Sequence, residues 1–90
     1  MKIVLYGISG AEDKYRVAKY CFIERRYFSI IEALDTAYWM KLDCPSIEHV
    51  YAIDNSKELK RDFIKCIKEN SIESFLVFKD ILETEGLKII

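Results

Sequence analysis

Ninety residues with 51% apolar, 13% aromatic and 32% charged side chains fit one folded domain and are too few for a two-domain enzyme. Fourteen Lys and Arg against fifteen Asp and Glu leave a formal charge of −1, so no net field draws the chain to phosphate backbones or anionic lipid. Runs such as Ile3-Val4-Leu5-Tyr6 and Phe75-Leu76-Val77-Phe78 fall far short of the roughly 20 apolar residues of a membrane-spanning helix, and the amino terminus lacks a signal peptide's longer apolar stretch, so a cytoplasmic protein is expected.

Lys2 to Ile8 is a β-branched and aromatic run closed by Gly7 and Gly10, which predicts a buried central strand followed by a tight turn. Ser9-Gly10-Ala11-Glu12 has capping-box spacing, in which the serine oxygen and the glutamate satisfy free amides at a helix start. A helix to about Arg26 is therefore expected, with Val17, Tyr20, Cys21 and Phe22 inward. Tyr27 to Ile31 has strand composition, yet Ser29-x-x-Glu32 is a second capping-box spacing. A short strand running into a helix is the expectation. Ile30, Ile31, Leu34, Ala37, Tyr38 and Lys41 carry its periodicity, and Asp43-Cys44-Pro45 ends it, because the residue before a proline is pushed out of the helical region.

Glu48 to Ile53 reads as a strand leading into Asp54-Asn55-Ser56, which supply turn and cap chemistry for a helix from Lys57 to about Asn70. Leu59, Phe63, Cys66 and Ile67 form its apolar stripe, while Lys57, Lys60, Arg61, Lys65 and Lys68 lie off it. Ser74 to Phe78 is expected as a further strand, Asp80 to Glu85 as a short helix stopped by Gly86, and Leu87 to Ile90 as an edge strand. Strands with continuous hydrophobicity alternating with helices point to an α/β fold, residues 1–90 forming one domain around a small, open, mostly parallel sheet of about four strands. The alternative is a ferredoxin-like α+β sandwich, if the Tyr27 strand pairs antiparallel.

In an open parallel sheet, ligands bind beyond the carboxyl ends of the strands. That edge would bring Gly7, Ser9 and Gly10 near Asp54 and Asn55, and the glycine loop could receive a phosphate. It matches no complete fingerprint, since the second glycine and the lysine of a Walker loop fall on Glu12 and Asp13. The opening through Glu32, with Val4-Leu5-Tyr6-Gly7 and Ala18-Lys19-Tyr20, resembles the first strand, helix and second strand of a glutaredoxin. That resemblance implies no redox activity, because the family's C-x-x-C would fall near Glu12-Asp13-Lys14-Tyr15. Asp54 at a strand end is similar to a receiver-domain phosphoacceptor, but Gly7-Ile8 stand where the acidic pair belongs.

Cys21, Cys44 and Cys66 lie more than twenty residues apart, without the C-x2-C pair of a zinc knuckle, and read as buried free thiols. Neither a metal nor a cofactor is expected. Cys44, Ser46 and His49 are sequence neighbours, but a nucleophile there would need an orienting group, and Glu48 is the one at hand. Lys60, Arg61 and Lys65, with Arg25 and Arg26, could form a nucleic-acid patch, although Glu58, Asp62 and Glu69 interrupt it.

Tyr38, Trp39 and Met40 are large apolar groups around one helix, which must bury both faces or meet a partner. These features favour a small intracellular binding or regulatory module without catalysis of its own. It would act by contact with another protein or by self-association, as a phage-type accessory or inhibitor protein would. A phosphate- or nucleotide-binding domain using the strand edge is the alternative, and a nucleic-acid adaptor a further one.

Overall fold

The computed structural model describes residues 2–9, 16–27, 29–54, 59–69 and 71–90, with the backbone alone over 16–26. The first strand forms where expected, at Lys2–Ser9 (β1), and is buried at every position from Ile3 to Ser9. Successive strand side chains point to opposite sides, so unbroken burial requires cover on both faces. On one face Gly7 lies so close to Ile47 and Met40 that an added Cβ would stand 2.8 and 3.2 Å from their terminal carbons. On the other, Tyr6 packs against Phe63 and Phe78 at ring-centroid distances of 5.6 and 5.4 Å. Helix Ile30–Asp43 (α1) thus covers one side, and helices Lys60–Glu69 (α2) and Ile72–Glu85 (α3) cover the other.

The sheet is antiparallel, which corrects the mostly parallel α/β arrangement. Strand Arg16–Arg26 (β2) runs back along β1 from Ser9↔Arg16 to Lys2↔Arg26. Strand His49–Asp54 (β3) pairs with the other edge of β1 from Ile8↔His49 to Ile3↔Asp54. The two-residue strand Leu87–Lys88 (β4) pairs with β3 through Ala52 and Tyr51, giving the order β2-β1-β3-β4 among the described residues. The α+β sandwich alternative fits better. Continuous hydrophobicity reports cover on both faces and carries no information on strand direction, which is why it misleads here. A crossover is nevertheless present, because β2 and β3 both oppose β1, run parallel to each other, and are joined by α1 across the strand between them.

Two further expectations are overturned. The helix to Arg26 is replaced by β2, whose Val17, Tyr20, Phe22 and Ile23 are as strand-like as they are helical; the glutaredoxin-like β-α-β opening goes with it. The capping box at Ser9-Gly10-Ala11-Glu12 extends outside the described residues. Between Tyr6↔Phe22 and Ile8↔Val17 the register shifts, β2 taking five steps where β1 takes two, opposite Gly7. The strand expected at Ser74 to Phe78 lies inside α3. Ser71 caps that helix by accepting the Ser74 amide at 3.2 Å, and Phe75, Phe78 and Leu82 recur at helical spacing on the buried side. A four-residue apolar run suits a strand or a buried helical turn equally, and the cap decides.

The short strand expected through Ile31 gives way as well, since Ser29 is the N-cap and Ile30 already the first residue of α1, while several other boundaries follow the sequence. Ser29 caps α1 through the Glu32 amide at 3.2 Å, and the helix ends at Asp43. The expected cap residues Asn55 and Ser56 lie outside the described residues, but of the predicted stripe α2 turns Phe63 and Cys66 into the core behind buried Leu59, whereas Ile67 is 47% exposed. Gly86 ends α3 by donating its N–H to Leu82 O at 2.8 Å. Among the described residues no helix is long and apolar enough to cross a membrane.

Candidate interaction surface

The α1 helix reverses the usual arrangement of an amphipathic segment. Its buried positions are Ala33, Ala37 and Met40, while Ile31, Tyr38, Trp39 and Leu42 are 82%, 54%, 66% and 70% exposed. Small side chains on the inner face let the helix lie close to the sheet, and this is the face that meets Gly7. Apart from buried Met40 and half-buried Ile30 and Leu34, the large apolar groups are left outside. Ile31, Asp35, Tyr38 and Leu42 are spaced four, three and four residues apart, so they form one seam along the helix, and Trp39 flanks its middle and end. Asp35 lies within the seam and Glu32 and Asp43 beside it, all three exposed, with half-buried Lys41 the nearby cation on this helix.

Of the three residues singled out in the sequence, Tyr38 and Trp39 thus stand on the surface. Met40 is 2% exposed and belongs to the core, which corrects its assignment to an interface. Ile31 and Leu42 were missed. The signal that could have found them is the pair of alanines at helical spacing, which marks the close-packed side and leaves the bulky residues for the other.

The strand-edge ligand site loses its geometry in an antiparallel sheet. Ser9 lies at the end of β1 beside the start of β3, whereas Asp54 pairs with Ile3 near the opposite end. At about 3.4 Å per residue they are on the order of 20 Å apart. Gly7 is buried beneath Ile47 and Met40 and presents no open backbone to a phosphate. Ser9 is buried and Asp54 exposed, while Gly10 and Asn55 lie outside the described residues. The receiver-domain likeness of Asp54 fails with the same separation.

Polar neighbours elsewhere hold structure together. The Nδ1 atom of His49 is 3.3 Å from the backbone oxygen of Ile90, tying the last residues to β3. Cys44 Sγ is 3.1 Å from Ser46 Oγ, a separate contact that forms no nucleophile–base pair with the histidine. Burial, followed by the charge of Glu69, pushes the Cys66 thiol up, away from thiolate reactivity. Among the described residues no cluster of three or more His, Cys, Asp or Glu could hold a metal ion.

Lys60, Arg61, Lys65 and Lys68 are exposed along α2, with Lys65 3.8 Å from Glu69 in a same-helix pair. Beside them, Asp62, Lys65, Cys66, Glu73, Ser74, Val77, Phe78 and Ile81 line an open cleft of about 270 Å³ between α2 and α3. This is below the size of pockets that enclose a drug-sized ligand. Comparisons with known proteins give no match: no family model fits the chain, and none was found among curated proteins or solved structures.

Proposed function

We infer that this chain is a small binding module without catalytic chemistry of its own, working by macromolecular contact through the outer face of α1. The exposure of Ile31, Tyr38, Trp39 and Leu42 along one helix carries this reading. Scattered exposed apolar residues need no explanation, but Tyr38, Trp39 and Leu42 cluster on the last turns of α1, with Ile31 two turns away beyond Asp35, and such a cluster with a charged rim has the composition of an interface. Trp39 and Tyr38 are of the residue types that dominate binding energy when a partner covers them.

The test is a photo-reactive phenylalanine analogue placed at Tyr38, with a control at exposed Thr84 on α3, irradiated in the native host. Discrete adducts from position 38, absent from position 84 and suppressed by Leu42→Lys, are expected. Absence of a discrete adduct at position 38, or equal labelling at both positions, would remove the α1 face as the working surface.

A further inference from the structure

Helices α1 and α2 lie on opposite sides of the sheet, since α1 packs over Gly7 while Phe63 packs against Tyr6. Each carries, on its outer face, an apolar residue set between like charges. Residues three and four apart are neighbours on a helix surface. On α1, Trp39 has Asp35 and Asp43 four residues to either side and Leu42 three residues on, all exposed. On α2, Ile64 has Lys60 and Lys68 four residues to either side, Arg61 three residues before and Ile67 three residues on, again all exposed. None of these neighbours of Ile64 is a carboxylate. The acids of α2 lie on its other flank, where Asp62 lines the cleft toward α3 and Glu69 is 3.8 Å from Lys65. The two outer rows thus share one spacing and have opposite sign. In each, the end charges are eight residues apart, or about 12 Å along the helix.

We propose that the α1 face seats on the outer face of α2 in a second copy of this chain, head to tail, with Trp39 against Ile64 and the α1 carboxylates opposite Lys60 and Lys68. This rests on the reading of α1 as a contact surface and names its occupant. The charges match whichever way the two helices run, because each row has the same charge at both ends. Pairing α1 with its own copy would set Asp35 and Asp43 against carboxylates, and pairing α2 with its own copy would set lysine against lysine, so charge selects the mixed contact. Because the two surfaces are on opposite sides of the molecule, each copy keeps one of each free. Association is therefore heterologous and continues beyond a dimer unless the rotation closes a ring. One helix face on another is at the lower end of specific interface size, so the contact is weak and strengthens with protein concentration. Charge attraction across it fades with added salt.

Sedimentation velocity over a concentration series at low salt tests this directly. Trp39 is the sole tryptophan, so its emission reports the same event without background. The expected result is a series of species past the dimer, an emission shift to shorter wavelength with concentration, and reversal of both by salt. Trp39→Ala and Ile64→Asp change exposed residues, and each should weaken association about tenfold or more while leaving circular dichroism unchanged. Lys68→Glu is a second α2 variant if Ile64→Asp misfolds. Mixed together, Trp39→Ala and an α2 variant retain one good surface each, and should form a one-to-one pair that does not grow. A wild-type chain that stays monomeric with unshifted emission overturns the proposal, as does a dimer that stops at two copies or an assembly of any size untouched by the α2 variants. Each of these results leaves the α1 reading standing if position 38 still cross-links to a different protein. Loss of that adduct as well sinks both.

Discussion

Substituting alanine at Gly86 separates two reasons why a glycine ends a helix. The usual reason is a left-handed backbone, but Gly86 has φ −105° and ψ −179°, which any residue adopts. What excludes a side chain is proximity. A Cβ here would stand 2.7 Å from the Leu82 carbonyl oxygen and 3.2 Å from that of Ala52, trapped between the end of α3 and strand β3. Both obstacles are backbone, so relief requires moving the helix end from the sheet and stretching the Gly86 N–H bond to Leu82. Overpacking of this kind costs about 1–3 kcal/mol, and a weakened hydrogen bond adds up to about 1 kcal/mol. Lower unfolded-state entropy returns about 0.4–1 kcal/mol. The net expectation is a loss of about 2 kcal/mol, or about 8–16 °C in Tm for a domain of this size. Gly7→Ala is the control, because the nearest atoms to its Cβ are side-chain carbons of Ile47 and Met40, which can shift more readily than backbone. Urea and thermal unfolding followed by circular dichroism would rank the two. A Gly86→Ala chain as stable as the parent, or less damaged than Gly7→Ala, would refute the close-approach account.

Three other outcomes follow from burial and charge. Neighbouring substitutions on α1 should diverge: Trp39→Ala changes unfolding free energy by no more than about 0.5 kcal/mol, whereas Met40→Ala, in the core, costs about 2–5 kcal/mol in the same urea titration. The buried Tyr27 hydroxyl has no hydrogen-bond partner among the described residues, so Tyr27→Phe should raise the urea midpoint, by about 1 kcal/mol in stability; a lowered midpoint would reveal a bond the hydroxyl makes. Burial, then the charge and hydrogen bond of Glu83, hold the Tyr51 phenol protonated above its ordinary 10.0, and the Cys66 thiol is held above its ordinary 9.0. The unfolded chain releases these protons first, so their contribution is complete below pH 9 and is lost as pH rises through the folded values. Urea midpoints should fall on that alkaline limb, and Tyr51→Phe with Cys66→Ala should flatten the fall; an unchanged slope would discount both groups.

The elements legible from sequence are those whose ends are marked chemically. Ser29 and Glu32 mark the start of α1, Pro45 follows its end, and Gly86 closes α3, whose first turns nevertheless read as a strand. The β1 run is unambiguous because no polar residue interrupts Ile3 to Ile8. The segment from Val17 to Ile23 was illegible in principle, because a wide helical arc and a strand apolar on both sides draw on the same residues. Pairing with β1 decides between them, and that is a non-local fact. The candidate surface was half legible. Tyr38 and Trp39 drew attention by size, but Met40 was indistinguishable from them until the alanine side of α1 was placed on the sheet.

The position of β1 at the centre of every layer makes the chain indivisible. Its two hydrogen-bonding edges are taken by segments on either side of it in space but far apart in sequence, β2 ending at Arg26 and β3 beginning at His49. Its two faces depend on α1 and on the α2–α3 pair. A fragment ending before His49 would retain a hairpin and one helix, yet leave Val4, Tyr6 and Ile8 bare to water along with an open strand edge. The complementary fragment would contain α2, α3 and β3 with nothing to fold upon. Neither piece has a core to itself, so cleavage between α1 and β3 yields halves that regain structure only by finding each other.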